Sequence, residues 1–331
     1  MATQYVDIVG SGFITGVQGT FANCRVYYDT GTGSILHVGS LYTAWPSAPP
    51  PVRTGVVSDV TAFGAAGNGT ADDTTPIAAA IAMVAAYGQG EVCFPPGTYL
   101  TGNQTLVGNV TFVGAGKAAT ILKLKNGANA DLLSANTGNI NLSASYGTGS
   151  ATGANFWGIR DMTLDGNKAN QSGGPSYPLR VYGYGHSVEN VYITNGYSGG
   201  VLCDWNNTAD PSGDTVICKW SYVDVIGNNG IGVQWGGPTD AQWYSVNSAK
   251  NGSHNFHIAP NAGDLLATQC HGWESPLSVT AACYLVETKA HFVNCSAEGS
   301  DTCQVAMLAN MISWTDGHVF SGGNNTLTGP G

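Results

Sequence analysis

The chain has 331 residues, 47 of them glycine, and charged residues make up 10% of it, which suits one large elongated domain with an appendage rather than a small stapled fold. A formal net charge of -10 with 11 lysines and arginines and no basic run argues against a nucleic-acid partner, and against tight binding of strongly anionic glycans without a metal. No apolar run is long enough for membrane insertion, and the start at Met1 lacks the basic and apolar regions of an export signal, so synthesis in the cytoplasm is expected.

Residues 5–9, 21–28 and 35–38 are strand-like runs divided by Gly-rich turns, and predict a small β module over residues 1–45. The competing reading is that they extend a solenoid that follows. The run Trp45-Pro46-Ser47-Ala48-Pro49-Pro50-Pro51 favours extended polyproline, so residues 46–55 are read as a stiff linker and residues 56–331 as the main domain.

Residues 60–99 read VTAFGAAGNGTADDTTPIAAAIAMVAAYGQGEVCFPPGTY. Ile77, Ile81 and Val84 recur at helical spacing, Pro76 suits a first turn, and Asp72 or Asp73 can accept amide hydrogen bonds there. Gly88 and Gly90 stop the helix, and Val92 and Phe94 alternate as in a strand. The Asp72-Asp73 pair is therefore read as capping rather than as a catalytic dyad.

This stretch resembles the opening coil of the pectate-lyase-like, right-handed parallel β-helix superfamily, found in phage tailspikes, minor tail proteins and polysaccharide enzymes. Asn68-Gly69-Thr70-Ala71-Asp72-Asp73-Thr74 is similar to the family's Gly-Asp-Gly-x-x-Asp-Asp-Thr pattern, with Asn68 departing from it. Val92-Cys93-Phe94-Pro95-Pro96-Gly97-Thr98-Tyr99 is similar to its Val-x-Phe-Pro-Pro-Gly-x-Tyr strand. The resemblance implies an all-β fold: a right-handed single-stranded parallel β-helix with a short N-terminal capping helix. It also implies a homotrimer in the tail of a virion, attached to other tail proteins through residues 1–45. One fold hosts many functions, so it does not fix the chemistry.

Residues 110–117 and 120–124 read as the next strands, and residues 126–155 as a long loop. From residue 156 a repeat emerges: residues 157–166, 187–196, 220–230, 241–252, 266–272 and 291–299 align, with turns at Asn229-Gly230, Asn251-Gly252 and His271-Gly272 spaced by 22 and 20 positions. Val191, Ile193, Val223, Val225 and Val246 should point inward, and Thr163, Tyr192, Asp224 and Ser245 outward in register. Second strands are expected at residues 200–203, 231–235, 256–258 and 304–308, and a loose polar tail after Phe320. The eight cysteines form no CxxC pair, so buried reduced thiols are expected, with a pairing among Cys283, Cys295 and Cys303 left open.

A glycoside hydrolase needs two carboxylates about 5 Å apart for retention, or about 6.5–9.5 Å for inversion. The candidates are Asp161, Asp165, Asp204, Asp214 and Asp224, each also readable as a solvated polar position. Asp161 and Asp165 span about 13 Å if fully extended, too far unless the chain folds back. Of the polygalacturonase-like motifs only Gly185-His186-Ser187 has a faint echo here. No basic residue falls in a lyase-like motif, so hydrolysis is preferred to elimination. Trp205, Trp235, Trp243, Trp273 and Tyr192 are candidates for contact with sugar rings, with core filling the competing reading. No cofactor and no metal are called for. His254, His257 and His271 with Asp240 or Glu274 suit local hydrogen bonding better than metal ligation. The sequence thus predicts a phage tail appendage that binds host cell-surface polysaccharide. The alternatives are an active depolymerase and a purely structural virion component.

Overall fold

The computed structural model describes residues 3–12, 21–29, 35–40, 56–135, 154–183, 185–203, 217–236, 240–260, 262–275, 282–299, 303–309 and 312–320. The chain divides into two compact units, Met1–Arg53 and Thr54–Gly331. In the first, Thr3–Gly12, Phe21–Asp29 and Ile35–Ser40 pair as a three-stranded antiparallel sheet in chain order. These are the three runs read from the sequence, and they form a sheet of their own.

The second unit is a right-handed parallel β-helix. Its entrance is closed by the helix Thr74–Ala86, which buries Ile77, Ala80, Ile81 and Val84. The adjacent aspartates divide the work. Asp72 accepts the Thr74 N–H at 3.0 Å and so caps the helix start. Asp73 instead accepts Ala66 N–H at 2.7 Å and Gly67 N–H at 3.1 Å, bracing the preceding turn. The hydroxyl and amide of Thr74, with Lys125, hold the Asp72 carboxyl down to about 2.

Each coil has three faces. In a representative one, Lys219–Ser221 lies on the first face, Asp224–Ile226 on the second and Ile231–Trp235 on the third. Equivalent strands stack in parallel register, as in Trp220↔Trp243↔Ala267↔Phe292↔Trp314 on the first face. Between the first and second faces every coil from Gly158–Asp165 onward turns on one residue with positive φ: Asp161 (60°), Asn190 (52°), Tyr222 (55°), Ser245 (52°), Gln269 (55°), Asn294 (52°) and Asp316 (53°). Short polar side chains tolerate this left-handed conformation, and most of the column obeys that rule.

That bend resets the in/out alternation, because the left-handed residue adds an outward position. On the second face the outward row runs Thr163↔Tyr192↔Asp224↔Asn247↔His271↔Ser296↔His318. Ser245, expected in this row, is the bend residue, and Asn247 takes its place. His271-Gly272, expected as a turn, lies inside the strand His271–Trp273. Leu133–Ala135 forms a third-face strand within the segment read as a loop. A final coil, Ile312–Thr315 and His318–Phe320, extends the stack beyond the repeat read from the sequence.

Val191, Ile193, Val223, Val225 and Val246 are fully buried, as their alternation requires. Trp235 and Trp243 are buried too, at 0% and 2% exposure, which removes them from any sugar-binding surface. Trp235 meets Trp220 at 5.3 Å and Trp243 at 5.0 Å, both edge to face, and Trp243 continues to Phe256 at 6.0 Å. The bulky rings fill the space between faces, each pair adding about 0.5–1.5 kcal/mol beyond its buried area.

Two polar features are sealed inside. Asn251 accepts the backbone and side-chain N–H groups of Asn228 at 3.1 and 2.9 Å, and donates to Val225 O, Ser248 Oγ and Asn255 Oδ1 at 3.2, 3.0 and 2.9 Å. This asparagine column satisfies the turn backbones between coils. His186 stacks on Trp157 at 4.3 Å and 8°, and Trp220 Nε1–H donates to its Nε2 at 3.0 Å. Indole can only donate, so Nδ1 carries the proton and donates to Gly183 O at 3.1 Å. Burial pushes this histidine down to about 4. Cys203, Cys218, Cys270, Cys283 and Cys295 are buried thiols outside any disulfide, which leaves no pairing between Cys283 and Cys295.

Candidate functional site

The second face and the bend beside it gather most of the outward chemistry. Lys117, in the turn before Thr120–Leu124, accepts the Thr163 hydroxyl on its carbonyl at 2.6 Å. Its side chain then crosses the rung of Tyr192 to reach Asp224, donating to Asp224 Oδ2 at 2.7 Å and to Tyr222 O at 2.6 Å. Asn247 donates to the other Asp224 oxygen at 2.8 Å. Asp224 therefore sits half-buried between a cation and an amide, with lone pairs still facing outward.

Lys168 makes a parallel strap, donating to Gly227 O at 2.5 Å. Farther along, His271 and Trp273 occupy neighbouring outward rows with ring centroids 4.7 Å apart, and His271 Nε2 lies 3.1 Å from Glu298 Oε1. At the bend, Tyr222 and Tyr244 are exposed at 51% and 41%, their rings 5.4 Å apart and nearly perpendicular at 83°.

The structure separates the sequence candidates. Asp161 is a bend residue that accepts Asn190 Nδ2–H at 2.7 Å and pairs with Arg160 at 3.1 Å. Arg160 also reaches Glu91 at 3.3 Å. Asp165 accepts Asn167 N–H at 2.8 Å, closing the turn after its strand, and lies 3.9 Å from Lys123. Asp224 and Tyr192 share the outward row, and Trp273 stands beside it. Asp204, Trp205 and Asp214 lie outside the described residues. Tyr222 and Tyr244 are among the aromatic residues that the repeat carries and that suit sugar contact, but nothing in the sequence sets them apart as a pair. The signal available for Tyr222 was its place one residue before Val223, aligned with Asp161 and Asn190 at the bend.

Among the described residues no three His, Cys, Asp or Glu side chains are grouped to hold a metal ion. His254 and His257 have ring centroids 5.8 Å apart, but His254 Nδ1 accepts Ala282 N–H at 2.9 Å and His257 Nε2 pairs with Glu287 at 2.7 Å.

The coil geometry defines a pectate-lyase-like β-helix, and comparison with known proteins agrees. Residues 57–277 match the family described as rhamnogalacturonase A/epimerase, pectate lyase-like, and the chain belongs to that family. It is 40% identical over 119 residues to mannuronan C5-epimerase AlgE5 of Azotobacter vinelandii, a match covering 34% of this chain and 11% of that protein. It is 37% identical over 121 residues to alginate lyase 7 of the same organism, covering 34% of this chain and 13% of the relative. The chain thus matches only a small part of the length of these relatives. In fold it is similar to the A-module of Azotobacter vinelandii mannuronan C-5 epimerase AlgE4, with TM-score 0.56 and 18% identity over 79% of this chain and 77% of the module. It is equally similar to ORF18 of Geobacillus virus E2, with TM-score 0.56 and 14% identity over 93% of this chain and 68% of the viral protein.

Proposed function

We propose that this protein is a phage tail appendage whose β-helix binds a host cell-surface glycan. The observation that carries the reading is the outward row of the second face, where Tyr192, Asp224, Asn247 and His271 present donors and acceptors on successive rungs, with Trp273 alongside. A polysaccharide lying along the solenoid axis meets a hydrogen-bonding group at each step of about 4.8 Å, and ring faces for its apolar patches. The virion location draws support from the fold shared with the Geobacillus virus protein, and the glycan from a family with polysaccharide-modifying relatives. In this reading residues 1–45 dock onto other tail proteins, and three copies assemble as a homotrimer. The test is retention of the purified chain on immobilised host surface polysaccharide, together with its mass in solution. Retention by a trimer supports the proposal; absence of retention on every host polysaccharide tried refutes it.

A second reading, an active polysaccharide-modifying enzyme, is favoured by the 37–40% identity to epimerases and a lyase over a third of the chain. Those relatives point to proton abstraction beside a uronate carboxyl rather than to hydrolysis. Asp224 is a carboxylate of the outward row, with Asp204 and Asp214 the further candidates; Asp161 and Asp165 are engaged in the bend and the turn. Product analysis after incubation with alginate and with host polysaccharide tests it. Activity that survives both Asp224→Asn and Asp204→Asn removes those two residues from the chemistry.

A further inference from the structure

Tyr222 breaks the rule of its own column. Its counterparts at the bend are Asp, Asn, Ser and Gln, residues with short or polar side chains, whereas Tyr222 holds an aromatic ring at φ 55°. A bulky residue in the left-handed region carries a backbone cost, and a ring left 51% exposed recovers little of it by burial. Tyr244, on the next coil, turns a second exposed ring toward it at 83°, so the two make an open right-angled corner. Folding gains little from this arrangement, and a ligand with an apolar face would gain much.

The polar groups next to the corner set the ligand's charge. The Lys117 ammonium is fastened to the Tyr222 carbonyl and to Asp224, whose second oxygen takes Asn247. Lysine and aspartate cancel, so an anion gains no net attraction. What remains is one spare ammonium hydrogen, one spare amide hydrogen and outward carboxylate lone pairs, a donor and acceptor set that fits two adjacent hydroxyls.

We infer that Tyr222 and Tyr244, with the Lys117–Asp224–Asn247 group, form a subsite for a neutral hexose: its C–H face stacks in the aromatic corner and a vicinal diol bridges carboxylate and donors. The inference rests on the glycan-binding reading and narrows its substrate class to uncharged sugars, in contrast to the mannuronan of the epimerase relatives.

The test uses the full chain and a panel of immobilised polysaccharides: dextran, galactomannan and neutral capsular polysaccharides against alginate and polygalacturonate. Wild type should bind at least one neutral polymer, with affinity nearly unchanged between low and high salt. Tyr222→Asn keeps a residue that tolerates the bend, and should weaken that binding about tenfold, as should Tyr244→Ala. Circular dichroism of both variants should match wild type, and Tyr222→Asn should unfold at or above the wild-type temperature, since Asn tolerates the bend. No binding to any polymer overturns this inference together with the glycan-binding reading. Binding to a neutral polymer that both variants retain overturns the subsite alone. Binding confined to the acidic polymers and lost with salt overturns the assignment of a neutral sugar.

Discussion

Lowering the pH from 7 to 4 should unlock the core through His186. In the folded protein this imidazole is sealed between Trp157 and Trp220, and its Nε2 already accepts the Trp220 indole N–H. Protonation at Nε2 would set two donors against each other and place a charge in an apolar stack, so burial pushes the group down to about 4 from its ordinary 6.5. The unfolded chain takes up that proton below about pH 6.5 while the folded chain resists it, so stability is complete above that pH. It falls as the pH drops and levels off near the folded value of about 4. At about 1.4 kcal/mol per pH unit, the loss across the window is about 3 kcal/mol. Asp72 loses its share at lower pH, between the ordinary carboxylate range and about 2. Burial and the neighbouring His257 push His254 in the same direction as His186, so a variant is needed to isolate the effect. His186→Gln keeps an acceptor for Trp220 and does not titrate. Denaturant midpoints followed by tryptophan fluorescence at pH 7, 5.5 and 4.5 should fall steeply for wild type and much less for His186→Gln. Equal slopes for the two proteins would refute the reasoning.

Asn251→Ala should destabilise the coil stack by about 2–4 kcal/mol, because it strands the buried backbone and side-chain N–H groups of Asn228 and the Asn255 side-chain oxygen; denaturant unfolding measures it. Gly232→Ala should act on the same column, since its new Cβ would stand 2.3 Å from Ser248 Oγ and 2.4 Å from Asn251 Nδ2, and the same experiment should show at least a comparable loss. Trp243→Phe should cost about 1–2 kcal/mol less than Trp220→Phe, because the buried Trp243 Nε1 has no partner to lose whereas Trp220 serves His186. Trp273→Ala should weaken polysaccharide retention several-fold with unchanged circular dichroism, whereas Trp243→Phe should leave retention intact.

The capped entrance was legible because its signals are local. The Asn68–Thr74 motif, the Ile77, Ile81 and Val84 stripe and the Val92/Phe94 alternation each need a few neighbouring residues and point to one answer. The inward valines were legible for the same reason. The bend was not, because alternation assumes an uninterrupted strand, and a left-handed residue between two short strands puts two consecutive side chains outside. Ser245 and Asn247 both flank the inward Val246, so alternation alone could not tell which of them opens the turn and which joins the row. Trp235 could have been placed inside from its parity with Val233, which is buried on the same strand. Residue type alone had suggested a sugar contact. The Lys117–Asp224 pair joins residues 107 positions apart, and sequence spacing carries no trace of such a contact.

Hydroxyl-radical footprinting of the full chain with and without bound polysaccharide tests the central claim most directly. The account predicts protection of Tyr192, Tyr222, Tyr244 and Trp273, with Trp220, Trp235 and Trp243 unchanged because the core already shields them. Bound polysaccharide that leaves those four residues as reactive as before, or protects a different face, would contradict it.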